Sequence, residues 1–292
     1  MERPRSLARW KKQYSYEGVS QFLGSQIESG VHSIDFRGTH LDLLVTCADS
    51  STTLVSFHAA LSPRAKTLPS LQGSSVAKDV GVNLIAVSDP ALAKGDIDLG
   101  WFAGDSGTGP LRGTLAPLIR HAAEQLGTKR LILFGPSGGG YAAVAFGNEF
   151  PGSVVLAVNP RLDLGARPKS QVEKYLEVAH GKKEIESAQE ILNEYGLRKV
   201  QDLIERPLGF QLLIYQNSGD SIYLNHQLKP FLSDFGPDPN LYVRLDSYGK
   251  GHKPIPGETL REILLHLKSD DLDLAIAEAG FTSPFDSEQP EK

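Results

Sequence analysis

Residues 131–140 read Leu-Ile-Leu-Phe-Gly-Pro-Ser-Gly-Gly-Gly, and this stretch constrains the chain more than any other. Four apolar residues in succession predict a strand buried on both faces. Gly135-Pro136-Ser137-Gly138-Gly139 matches Gly-x-Ser-x-Gly, and the Ala-rich residues 141–150, halted by Pro151, predict a helix. A strand that passes at once into a helix needs residues without bulk on both sides of the turn. It leaves Ser137 at the tip, where the first N–H groups of the helix have no intrahelical partner. The N–H of Gly138, aided by the positive end of the helix dipole, then faces any negative charge that develops beside the hydroxyl. The alternatives are a glycine-rich turn with an incidental serine, or a phosphate-cradling loop. The second lacks its Gly-x-x-x-x-Gly-Lys-Ser/Thr pattern.

The flanking periodicities predict the rest of the sheet. Residues 31–36 and 41–47 alternate around Arg37-Gly38-Thr39, as an antiparallel pair at a sheet edge does. Apolar runs at 53–57, 82–87, 153–158, 210–215 and 241–245 predict further strands. Between them, Leu111, Leu115, Leu118, Ile119, Ala122 and Leu126 form one apolar stripe of a helix that Gly127 ends. Strand and helix in alternation predict an α/β fold whose sheet is mostly parallel, with right-handed crossovers. Residues 161–206 differ: dense mixed charge and short helical patterns near 171–180, 183–195 and 199–204. Residues 258–267 predict a closing helix, and 272–279 a short one in an acidic tail whose last residues read as disordered.

The stretch 131–146 is similar to the nucleophile elbow of the α/β-hydrolase family, and the resemblance extends over about residues 31–267. It implies a core of residues 19–160 and 207–270; 161–206 is then either a helical cap over the pocket or a solvated helical insertion with no substrate role, while residues 1–18 read as a mobile or loosely docked lead-in and 271–292 as an acidic tail. The family orders its catalytic residues serine, acid, histidine, each acid and base in a loop after a later strand. That implies Ser137 as nucleophile, with Asp220 in the Gly-Asp turn after 210–215 as the acid. His252, in Gly249-Lys250-Gly251-His252 after the last strand, is then the base. Asp246 and Asp163 compete with Asp220. His32, His40, His121, His180, His226 and His266 fall near the first strands, in the insertion or on helices. The other oxyanion donor is expected after the third strand, where His58-Ala59-Ala60 stands in place of the family's His-Gly-Gly; this points to the N–H of Ala59 or Ala60 beside that of Gly138. His58 either braces that loop or takes part in the site. Trp101 and Phe102 either line a substrate pocket or pack beneath a long loop.

A formal charge of −5 gives no support for nucleic acid as partner. With one cysteine, Cys47, no intrachain disulfide is possible, and its apolar surroundings predict a small core residue. The basic residues near the N-terminus precede no apolar run, and no stretch is long enough to span a bilayer, so the simplest location is the cytoplasm. Neither His-Glu-x-x-His nor a cysteine cluster points to a metal, and no cofactor is expected. The expected function is hydrolysis of a carboxylic ester, its substrate a small molecule or an acyl ester of a glycan or lipid. Transfer of the acyl group to an alcohol on the same machinery is the alternative. A non-catalytic binding or scaffolding protein is another, since proteins of surface-polysaccharide and accessory-secretion systems are similar in carrying a Gly-x-Ser-x-Gly hydrolase domain.

Overall fold

A computed structural model describes residues 3–167, 169–182 and 188–285. Its strands are β1 (Gln13–Tyr16), β2 (Gly30–Phe36), β3 (Thr39–Thr46), β4 (Thr52–Phe57), β5 (Asn83–Val87), the short pair β6 (Gly104–Asp105) and β7 (Gly109–Pro110), β8 (Arg130–Pro136), β9 (Val154–Val158), β10 (Gln211–Asn217) and β11 (Leu241–Asp246). All but β6 and β7 join one sheet in the order β1-β2-β3-β5-β4-β8-β9-β10-β11. β3 pairs antiparallel with β2 and β5; every other pairing in this sheet is parallel.

The apolar runs account for this. β4, β5 and β9 are buried along their whole length, and successive side chains point to opposite faces. Val55, Leu133, Val155 and Ile214 therefore pack on one face, and Leu54, Ile132, Val154 and Leu213 on the other. The first face is covered by helices α1 (Val19–Leu23), α3 (Arg112–Gln125), α4 (Gly138–Phe146), α5 (Ser170–His180), α6 (Gln189–Glu194) and α8 (Lys229–Phe235), the second by α2 (Ser74–Val80), α9 (Gly257–His266) and α10 (Leu272–Glu278). A three-residue helix, α7 (Ser221–Tyr223), runs through a π turn at Leu224–Leu228 into α8. The helix after the elbow ends at Phe146, four residues short of its expected end at Phe150, and tightens into a 3₁₀ turn over Gly147–Glu149. Among the described residues, no helix is long and apolar enough to cross a membrane.

The N-terminal lead-in is not loose. β1 adds a parallel strand outside β2, Arg3 pairs with Asp98, and Arg5 reaches Asp42 at 2.7 Å. The polar Gln-Tyr-Ser-Tyr gave no apolar signal; its order comes from backbone pairing to β2. Cys47 is exposed, not a core residue. The burial of β3 stops at Val45, and Thr46 and Cys47 run out past it.

Residues 161–206 contain α5, α6 and a 3₁₀ turn at Val200–Asp202. Leu162, Leu164, Val172, Tyr175, Leu176 and Val200 are buried in the same apolar cluster as the sheet. Part of the expected helix at 183–195 and the end of the acidic tail lie outside the described residues.

Parallel pairing turns the C-terminal ends of β4, β5, β8, β9, β10 and β11 to one edge of the sheet. Ligands bind at that edge in open α/β sheets.

Candidate active site

Ser137 sits between β8 and α4 with φ 53° and ψ −114°, a conformation that L-residues adopt only when their surroundings enforce it. Two close approaches enforce it here. A Cβ on Gly135 would lie 2.0 Å from the carbonyl oxygen of Gly139, and one on Gly139 would lie 2.3 Å from that of Phe57. The turn is thus folded back on itself and pressed against the end of β4. The N–H of Ser137 donates to Val158 O at 2.8 Å, tying the tip to the neighbouring strand.

His252 and Asp220 come to this serine from different loops. His252 Nε2 lies 2.9 Å from Ser137 Oγ, and Nδ1 lies 2.6 Å from Asp220 Oδ2. A carboxylate only accepts, so Nδ1 carries the ring proton and Nε2 is left to accept from the serine hydroxyl. Asp220 is 2% exposed and the imidazole 37%. Asp220 also caps α7, its Oδ1 accepting from Tyr223 N–H at 3.2 Å. The competing carboxylates are engaged elsewhere. Asp246 Oδ2 accepts from Tyr215 Oη at 2.9 Å and Arg244 Nε at 3.0 Å. Asp163 Oδ1 accepts from the N–H groups of Gly165 and Ala166.

Three residues that the sequence reading did not single out hold the histidine. Tyr223 stacks on its ring, with centroids 3.9 Å apart and 25° between planes. Asn217, buried at the end of β10, donates from Nδ2 to the carbonyls of Gly249 (2.8 Å) and Gly251 (3.0 Å), while its Oδ1 accepts from Gly219 N–H at 3.0 Å. Asn159, buried at the end of β9, accepts from Asn217 N–H at 2.7 Å and donates to Lys253 O at 2.9 Å and Tyr248 Oη at 2.7 Å. The loop of Asp220 and the loop of His252 are therefore joined through main-chain atoms. The available signal was an asparagine closing each of two apolar strands.

The remaining candidates separate into cleft and foundation. Ala60 lines the cleft with Ser137; Gly138 begins α4 directly after the serine. Trp101 and Phe102 are buried, both with positive φ, and do not line that cleft. Phe102 packs on Phe57 and His58. His58 is also buried: its Nδ1–H donates to Ala59 O at 2.8 Å and its Nε2 accepts from Asp89 N–H at 3.2 Å. The geometry makes it a brace for the loop that carries Ala59 and Ala60.

Burial pushes His58 down to about 4 from 6.5 and pushes Asp89 up to about 6 from 3.8, against the N–H groups of Phe102 and Ala91 that favour its charge. Between these limits an unfolded His58 binds a proton that the folded one refuses, so its contribution to stability rises with pH. The folded Asp89 keeps a proton that the unfolded chain releases, so its contribution falls as pH rises through about 6. The two oppose each other, each worth on the order of 3 kcal/mol. Asp89→Asn leaves His58 unopposed. Its melting temperature is expected to drop more steeply than that of wild type between about pH 7 and pH 4; parallel profiles would contradict the pairing.

The cleft has a volume of about 1010 Å³ and is bounded by Ala60 and Ser137, by the turn at 219–223, by Lys250 and His252, and by Arg167, Lys169, Ser170 and Gln171 at the start of α5.

No protein-family model matches the sequence, and no curated protein matches it. Solved structures do. A capsule O-acetyltransferase of Neisseria meningitidis serogroup A in complex with CoA superimposes with a TM-score of 0.60 at 16% identity, over 84% of this chain and 97% of that one. A glycosylation-associated protein (Gap123) complex from Streptococcus agalactiae gives 0.58 at 15%, over 80% of this chain and 46% of that one. An S-formylglutathione hydrolase from Agrobacterium tumefaciens gives 0.50 at 17%, over 88% and 99%. With its strand order, its single reversed strand and these neighbours, the chain has the α/β-hydrolase fold.

Proposed function

We propose that the chain is a serine acyl hydrolase or acyltransferase that forms an acyl-enzyme on Ser137. The observation that carries this reading is the relay from Asp220 Oδ2 through His252 to Ser137 Oγ, at 2.6 and 2.9 Å. A serine hydroxyl is too weak a nucleophile alone, and such a relay activates it.

In the first step Ser137 Oγ bonds to the acyl carbon while its proton passes to His252 Nε2. Asp220 stabilises the imidazolium. The oxyanion is met by the N–H of Gly138 and of Ala59 or Ala60; Ala60 is favoured because it faces the cleft beside the serine. One such donor is worth about 3–4 kcal/mol in the transition state. The bond to the leaving group breaks, and the leaving group departs with the proton from Nε2. Water or an acceptor hydroxyl then attacks the acyl carbon, yielding its proton to His252, and Ser137 recovers it as the new product leaves.

Hydrolysis and transfer differ only in that second nucleophile. Transfer to a hydroxyl is favoured by the likeness to the capsule O-acetyltransferase. The relay supports both over a non-catalytic role. Residues 161–206 supply a wall of the cleft, which supports a cap role for that segment. The test is a fluorophosphonate label together with p-nitrophenyl acetate turnover. Rapid labelling of Ser137 with steady turnover supports hydrolysis. A burst of p-nitrophenol that continues only when a polyol or oligosaccharide is added supports transfer. A folded protein that takes no label would refute the reading.

Tyr223 serves this chemistry by positioning. Replacing the stacked ring with alanine frees the imidazole, and kcat is expected to fall about 3–10-fold with KM little changed. Tyr223→Phe keeps the ring and should keep the rate, so an equal loss in both variants would disprove the stacking role.

A further inference from the structure

The lining of the cleft runs against the charge of the chain as a whole. The sequence carries 35 acidic and 30 basic side chains excluding histidine, yet Arg167, Lys169 and Lys250 all face this one space. Among the described residues, Asp220 is the only carboxylate that lines it, and it is buried and turned to His252. Among the described residues, no carboxylate lies within ion-pair distance of Arg167, Lys169 or Lys250. Walls of one charge sign focus a field and draw in ligands of the other.

The segment that presents Arg167 is built with unusual care. Arg161 is fully buried, and burial lowers its affinity for a proton. Its guanidinium still faces main-chain carbonyls, donating to Leu164 O at 3.2 Å and Ala166 O at 3.0 Å. Gln227, also buried, accepts from the N–H groups of Leu162 and Asp163 and donates to the carbonyls of Asp163 (3.2 Å) and Arg167 (3.1 Å). Burying a guanidinium without a carboxylate partner is costly. Here the return is a fixed path for residues 161–167, which ends with Arg167 in the lining of the cleft. Lys250 joins the lining from a different loop, one fixed by Asn217.

We propose that this cleft takes an anionic substrate. Its phosphate or carboxylate lies among Arg167, Lys169 and Lys250 while the reacting carbon or hydroxyl reaches Ser137. The inference rests on the acyl-transfer reading above. The negative group belongs either to the acyl donor, as in a phosphate-bearing thioester such as acetyl-CoA, or to the acceptor, as in a sugar bearing a carboxylate.

Two measurements separate this from the parent reading. Calorimetry on Ser137→Ala with coenzyme A, and separately with a glucuronate-containing oligosaccharide, reads binding without turnover. One of the two should bind, with an affinity that weakens as salt rises. The triple variant Arg167→Gln, Lys169→Gln, Lys250→Gln on that background should bind roughly 10- to 100-fold more weakly. In the enzyme with Ser137 intact, the same ligand should slow fluorophosphonate labelling, and the triple substitution should remove that protection. Protection by coenzyme A assigns the charge to the donor; protection by the oligosaccharide assigns it to the acceptor. All three side chains are exposed, so the triple variant should melt with wild type. Normal labelling without binding of either anion would overturn this inference and leave the parent reading standing. Absence of labelling would remove the parent reading itself.

Discussion

Ser137→Ala is expected to abolish fluorophosphonate labelling and to cut ester turnover about 10⁴- to 10⁶-fold. On the proposed mechanism the loss is large because the chemistry has no second route: removing Oγ removes the atom that would bond to the acyl carbon. What survives is the part of the site that never touched that atom, namely the oxyanion donors and the cleft. His252→Ala should cost a similar factor, and the double variant little more, since the two groups act as one unit. Stability should barely change. Ser137 is half-buried at φ 53°, and alanine meets the same backbone strain there as serine. Intact-mass spectrometry after mixing with an activated ester should show one acyl adduct on wild type and none on the variant. A variant that folds as wild type and keeps more than a hundredth of its turnover would show that another residue carries the acyl group.

Asp220→Asn is the second large effect, with an expected loss in kcat of about 10⁴-fold at neutral pH and little change in KM. Asparagine fits the space, and its oxygen can keep the cap on Tyr223 N–H. It cannot keep both that cap and an acceptor facing His252 Nδ1. With an amide NH₂ there, the ring is driven to the tautomer with its proton on Nε2, pointing at Ser137, and it then accepts nothing from the hydroxyl. Asp246→Asn and Asp163→Asn provide the contrast. Asp246 is held by Arg244 and Tyr215 and Asp163 by backbone N–H groups, so those variants should shift the unfolding midpoint more than kcat. Near-wild-type turnover in Asp220→Asn, or a collapse of turnover in either of the others, would reassign the acid.

The elbow and most of the strands were legible because each rests on a local signal. An unbroken apolar run such as 154–158 has to be buried on both faces, and glycines around one serine have to form a tight turn. The choice of Asp220 over Asp246 and Asp163 rested on family order, and what separates the three in space is which partner each oxygen faces. Tyr223, Asn159, Asn217, Gln227 and Arg161 were passed over for a common reason. Each works through specific contacts, most of them to main-chain atoms of another loop and, for Arg161, to carbonyls three and five residues on, and no periodicity marks such contacts. The N-terminal strand was missed because its side chains are mixed and its order comes from pairing with β2. Cys47 was misplaced because an alternating pattern does not show where burial ends. Trp101 and Phe102 stand at one sheet edge with the site, yet both side chains turn into the core.

The asparagine clamp between the loops of Asp220 and His252 bears on how such a site can change over generations. Asn217 and Asn159 grip the carbonyls of Gly249, Gly251 and Lys253, so the course of that loop depends on main-chain atoms. The side chain of Lys250 lies outside this bonding and faces the cleft. Mutation can therefore alter what the loop presents to a substrate while His252 stays aligned. Preference and reactivity sit on the same few residues but answer to different atoms, which lets one drift while the other is held.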